Sequence, residues 1–142
     1  DGTSLYVLVN NSPNDSIMKL DASGQKVASW GTDGVAHTSL SSAVSIAVLG
    51  SKLWVAGLVQ QNNSEWRFRS YALATGAQSG AGFEDNNVPY GNSQPKGMSS
   101  DGTYLYVANT AQSEFRKYDA NGNSVGGQLN LSGMRINIFG WV

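Results

Sequence analysis

The 142-residue chain contains no cysteine, a single histidine and few charges, with Asp, Glu, Lys and Arg together making up 13% of it. Without cysteine there are no disulfides, no thiolate nucleophile and no cysteine-ligated metal. The lone histidine, His37, leaves no multi-histidine site to build. Because the charge share is about half the usual one, Ser, Asn, Gly, Thr and Gln must supply the polar surface. A net charge of −1 without a basic stripe removes the electrostatic footprint of a nucleic-acid binder. No apolar run approaches the ~18 residues of a membrane-spanning helix. No helical stripe develops either, since seventeen glycines interrupt the chain and β-branched or aromatic residues dominate its short apolar runs. Hydrophobic residues at 40% and aromatics at 10% still suffice for a core. The expectation is an all-β fold.

What the chain does contain is a repeat. DGTSLYV at 1–7 returns as DGTYLYV at 101–107, and GSKLWVAG at 50–57 is a diverged copy between them. Gly2, Gly50 and Gly102 are separated by 48 and 52 residues. Each copy pairs a small-residue turn with a strand: Leu5-Tyr6-Val7, Leu53-Trp54-Val55 and Leu105-Tyr106-Val107. Downstream, IMKLDASG (17–24), RSYALATG (69–76) and FRKYDANG (115–122) each read as a strand ending at a glycine turn. Polar-apolar segments at 25–30, 77–80 and 123–129 read as a further strand, and 43–49 and 96–100 as the strand before the turn. Four short strands per unit of about 50 residues are the signature of β-propeller blades.

The stretch PKGMSSDGTYLYVAN at 95–109 resembles the NHL and YVTN type of propeller repeat, in which a Pro-x-Gly strand leads through a turn into Tyr-Val-Ala-Asn. FRKYDANG at 115–122 resembles the segment that follows in those families. Two departures are visible: Ser41-Ser42 stand where the second unit would carry Pro95, and Met18 stands near the position of the family's arginine. The resemblance implies blades of four antiparallel strands, three blade equivalents in the chain. The units run approximately 1–42, 43–94 and 95–133, with a closing or donated strand at 134–142. In that tail Met134, Ile136 and Ile138 alternate with Arg135 and Asn137, and Trp141 follows. Propellers need about four to eight blades. Three therefore imply a homo-oligomeric ring, a place in a longer propeller, or strand donation into a fibre.

Candidate chemistry is sparse. His37 lies among serines near Asp33, but no nucleophile elbow accompanies it, so a loop histidine is expected. Glu84-Asp85-Asn86-Asn87 offers oxygen ligands without a calcium-loop pattern and reads as a polar loop between blades. Asp1, Asp101, Asp21 and Asp119 recur at equivalent places, which argues for carboxylates that accept backbone N–H bonds in turns; Ala74 is read as the counterpart of Asp21 in the middle unit. Trp54 takes the place of Tyr6 and Tyr106 and is expected to pack between blades, whereas Trp30 and Trp66 are candidate sugar or partner contacts, with packing between sheets the commoner role for such aromatics. Asn10, Asn14, Asn62 and Asn130 begin glycosylation sequons, which point to an extracellular or cell-surface protein. No cofactor and no catalytic set is expected. The leading expectation is a non-enzymatic interaction or self-assembly module. The alternatives are a carbohydrate-binding propeller lectin and, behind it, a propeller hydrolase or lyase.

Overall fold

The computed structural model describes residues 2–11, 14–40, 42–58, 66–85, 95–109, 114–126 and 129–130. The tail residues Met134, Ile136, Ile138 and Trp141 and the sequon at Asn62 lie outside them. No helix occurs among the described residues. Eleven strands form three antiparallel sheets, each a meander of consecutive strands. Sheet 1 holds β1 (Leu5–Val9), β2 (Ser16–Leu20) and β3 (Val35–His37). Sheet 2 holds β4 (Ser42–Leu49), β5 (Lys52–Leu58), β6 (Trp66–Ala72) and β7 (Phe83–Asp85). Sheet 3 holds β8 (Gly97–Ser100), β9 (Leu105–Asn109), β10 (Glu114–Tyr118) and β11 (Leu129–Asn130).

The hairpin registers coincide from sheet to sheet. Leu5 pairs with Leu20, Leu53 with Tyr71 and Leu105 with Tyr118. After each of these the chain folds back in the same way: the backbone N–H groups of Asp21, Ala72 and Asp119 donate to the carbonyls of Gln25, Ala77 and Asn123. The counterpart of Asp21 in the middle unit is therefore Ala72 rather than Ala74. Each fold-back contains a glycine at positive φ: Gly24 at 80°, Gly76 at 73° and Gly122 at 87°.

The last strand of each sheet lies further along than the sequence suggests. At 25–30, 77–80 and 123–126 the chain makes only isolated bridges, through Lys26, Gln78 and Ser124, and Leu129, the last residue of the third segment, opens β11. The strands themselves come later, as β3, β7 and β11, and pair with the beginning of the preceding strand rather than its end. The tight turn explains the delay. It returns the chain one bridge deep; in sheet 1 the ladder then resumes only after a stretch that sends Trp30 into the core and turns at Gly31 and Gly34, both at positive φ.

Packing follows from side-chain alternation along the strands. One core lies between sheets 1 and 2, where Ile17, Trp30, Ala36 and Leu40 meet Ala43, Leu53, Val55 and Tyr71. A second lies between sheets 2 and 3, where Trp54, Ala56, Trp66 and Phe68 meet Met98, Leu105, Val107 and Tyr118. Sheet 2 is thus covered on both faces, and six of the seven residues of β5 are buried. Polar contacts fix the spacing at the first strands. The Ser45 Oγ accepts the Met98 N–H at 2.9 Å, joining β4 to β8. The buried Asp15 carboxylate accepts the N–H groups of Asn11 at 3.0 Å and Ala43 at 2.5 Å, tying sheet 1 to β4.

Two glycines with the same backbone sign test this packing. A Cβ at Gly76 would meet the Gly31 nitrogen at 2.6 Å and the Trp30 ring at 2.8 Å, whereas one at Gly24 meets nothing within 4 Å. Gly24→Ala should cost only the positive-φ penalty of about 1 kcal/mol. Gly76→Ala should cost at least about 2 kcal/mol more, because the inter-sheet contact must open. Urea denaturation of the two variants measures the difference.

Candidate functional site

Two clefts among the described residues repeat one another. The first, of about 320 Å³, lies between the outer end of sheet 1 and the turn of sheet 2, with Val35, Ala36, His37, Tyr71, Gly76 and Gln78 in its wall. The second, of about 370 Å³, lies between the outer end of sheet 2 and the turn of sheet 3, with Phe83, Glu84, Asp85, Tyr118, Gly122 and Ser124. Register makes the walls equivalent: Tyr71 and Tyr118 hold one position, Gly76 and Gly122 the next, and the bridge residues Gln78 and Ser124 the third. Each tyrosine belongs to one sheet and reaches the last strand of the sheet before it. The Tyr71 hydroxyl donates to the His37 carbonyl at 3.1 Å, and the Tyr118 hydroxyl to Asp85 Oδ2 at 2.5 Å.

The floors of the clefts differ. In the second, Arg116 donates to the same Asp85 oxygen at 2.7 Å, and both side chains are buried to 7% exposure. The guanidinium also lies 5.5 Å from the Trp66 ring centroid. Burial, the hydrogen bond to Asp85 and the carboxylate's charge all push the Tyr118 phenol well above its ordinary range. In the first cleft there is no acid at the corresponding place. The buried Thr38 hydroxyl donates to the Asp15 carbonyl at 2.8 Å, and burial raises the Tyr71 phenol to about 12.

Most of the candidate residues prove to be structural. Trp30 and Trp66 are buried to 0% exposure, so neither offers a ring face to a sugar, and the expectation of exposed contacts there is corrected. Trp30 plugs the gap between sheets 1 and 2, its Nε1–H donating to the Leu73 carbonyl at 3.1 Å with Tyr6 edge-on at 5.7 Å. Trp54 packs at the sheet 2–sheet 3 interface, 5.5 Å from Phe83. Asp21 Oδ1 accepts the N–H groups of Ser23 and Gln25, and Asp119 Oδ1 those of Asn121 and Asn123. Asp101 accepts the N–H groups of Thr103 and Tyr104 and the hydroxyl of Tyr106. Hydrogen bonds to these three exposed carboxylates hold them below the usual range. They are turn residues.

His37 and Asp33 do not form a catalytic pair, because the Asp33 carboxylate faces Lys26 at 2.9 Å. Among the described residues no three His, Asp or Glu side chains come together as a metal site would require. Glu84 and Asp85 diverge: Glu84 pairs with Arg67 at 2.8 Å and Asp85 turns inward to Arg116. Asn86 and Asn87 lie outside the described residues. Asn10 and Asn14 are exposed, and the Asn130 side chain is not described. Sequence reading missed the Asp85–Arg116–Tyr118 cluster, whose members are separated by 31 and 33 residues and belong to different sheets. No protein-family model matches the chain, and no curated protein matches it in sequence.

Two predictions follow the polar groups of these clefts. Asp85→Ala strips Arg116 of its carboxylate inside the interface and should destabilise the fold by about 3–5 kcal/mol. The double variant Asp85→Leu/Arg116→Met should recover most of that loss in urea denaturation. Burial raises the Tyr71 phenol above its ordinary value of 10.0. Its contribution is therefore full below pH 10 and lost as pH rises toward about 12. Tyr71→Phe should flatten the pH dependence of stability across that window, read by circular dichroism.

Proposed function

We propose that the chain is a non-enzymatic β-propeller repeat module that works outside the cell in protein interaction and self-assembly, joining incomplete blades through strand sharing into a ring or a fibre. One observation carries this reading. Three meander sheets with coincident registers stack in series, and sheet 1 has three strands among the described residues where sheets 2 and 3 have four. The NHL and YVTN resemblance of 95–122 supports the blade assignment, and the approach of β1 to β4 and of β4 to β8 suits strands gathered around a common axis. The exposed sequon residues Asn10 and Asn14 support an extracellular setting. Side chains that could act as acids or bases are spent on turns and interfaces, which favours a scaffold over a hydrolase or lyase.

A carbohydrate-binding reading is favoured by one feature, the repetition of the cleft. It is weakened by the burial of Trp30 and Trp66 and by the change from Thr38 to Asp85 on the cleft floor. A glycan array decides it: binding to a defined sugar would replace the scaffold reading. For the scaffold, light scattering of the chain at micromolar concentration should give a mass of two chains or more. A one-chain mass across the whole concentration range would overturn self-assembly.

A further inference from the structure

The two interfaces inside the molecule are built from one pair of faces, used twice. The face that receives the following sheet carries Tyr6, Leu8 and Ile17 in sheet 1, and Trp54, Ala56 and Phe68 in sheet 2. The face that docks onto the preceding sheet carries Leu53, Val55 and Tyr71 in sheet 2, and Leu105, Val107 and Tyr118 in sheet 3. One face of each kind has no sheet packed on it among the described residues. On sheet 1 the docking-type face presents Leu5, Val7, Met18, Leu20 and Val35, which register places side by side. Leu5 is 55% exposed, and the other four are half-buried. On sheet 3 the receiving-type face presents Tyr106 stacked on Phe115 at 5.6 Å, beside Lys117.

We infer that these two faces fit each other: the receiving face of sheet 3 in one copy takes the docking face of sheet 1 in a second copy, head to tail. Lys117 gives the inference its detail. In sheet 1, Lys19 lies 5.4 Å from the Tyr6 ring and its ammonium donates to the Leu73 carbonyl of sheet 2 at 3.3 Å. In sheet 3, Lys117 occupies the same register position and lies 5.9 Å from the Tyr106 ring, while its ammonium sits closer to the Tyr104 ring, at 3.7 Å. The lysine–tyrosine pair of sheet 1 thus recurs on sheet 3, with the ammonium resting on Tyr104. The Tyr106 hydroxyl already donates to Asp101, so the Lys117 ammonium, moved off Tyr104, is the group left to serve as the latch. Its acceptor in the second copy is a carbonyl of the Asp21–Gln25 turn, which is one residue shorter than the Ala72–Ala77 turn that presents Leu73. On the sheet 3 face Tyr106, Phe115 and Lys117 are half-buried and Ala108 is buried. The match between two faces of the same molecule makes the contact heterologous, so copies close a ring where the rotation between them closes and extend as a filament where it does not.

The inference rests on the self-assembly reading, and the experiment separates the two. Phe115→Glu spoils the receiving face and Val7→Glu the docking face. Burying a charge at a central interface position should weaken self-association by about thirty-fold or more. Alone, each variant should sediment as one chain at concentrations where the unmodified chain associates. Mixed, they should form a species of two chains, one of each, because one intact face of each kind remains. Circular dichroism confirms that the sheets persist, and Leu5→Lys, at the most exposed position, replaces Val7→Glu if the latter unfolds. If the unmodified chain associates while Phe115→Glu associates equally well, or the mixture yields no mixed species, the face-to-face inference fails and self-assembly stands. If the unmodified chain never associates, both fail.

Discussion

The stacking of this fold depends on one requirement: sheet 2 is apolar on both faces and must be covered on both. A half-buried antiparallel sheet would alternate apolar with polar residues. β5 instead sends Leu53 and Val55 to one side and Trp54 and Ala56 to the other, all at 3% exposure or less. A sheet of this kind cannot face water, so the chain covers it by stacking. The spacing between sheets is then set by side chains long enough to bridge it. Tyr71 and Tyr118 do this at the outer end, Trp30 at the turn, and Ser45 and Asp15 near the first strands.

The bridging groups also show why so little of the chain's polarity is available for chemistry. Asp15, Asp85 and Arg116 are buried and satisfied by partners across an interface, and the buried Thr38 hydroxyl by the Asp15 carbonyl beside it in sheet 1. Exposed carboxylates at 21, 101 and 119 hold their own turns. With charge so scarce, many of the ionised side chains among the described residues have a structural task. The second interface concentrates its polarity in Asp85, Arg116 and Tyr118, whereas the first combines the Asp15 carboxylate with backbone carbonyls that accept from Tyr71, Trp30 and Lys19. Two interfaces of one design can therefore differ in their dependence on a single charge pair.

Much of the architecture was legible because strands with an aromatic at a fixed place recur at near-constant spacing. Leu5, Leu53 and Leu105 mark the same ladder position in three sheets, and the aspartate turns announce their own hydrogen bonds. The last strand of each sheet was misplaced, since Lys26, Gln78 and Ser124 make one bridge each and no local pattern distinguishes a bridge from a ladder. Trp30 and Trp66 looked exposed for a similar reason. Their sequence neighbours are polar, but their spatial neighbours come from another sheet, as with the Leu73 carbonyl that accepts from Trp30. Asp85 was assigned to a loop because its partners Arg116 and Tyr118 lie about thirty residues away. Local pattern carries the ladder, and only the stacking of sheets reveals what crosses between them.

Stacking also explains where the repeat is permitted to vary. On the docking face, the third-strand positions are Arg69 and Tyr71 in sheet 2, Arg116 and Tyr118 in sheet 3, but Met18 and Leu20 in sheet 1. In sheets 2 and 3 the tyrosine hydroxyl meets an acceptor on the sheet before it. In sheet 1 no preceding sheet supplies one among the described residues, and the polar tips are replaced by apolar ends. A tyrosine there would bring a hydroxyl needing an acceptor, while Leu20 needs only contact. Met18, which stands where sheets 2 and 3 carry Arg69 and Arg116, lies on the docking face that meets no sheet among the described residues.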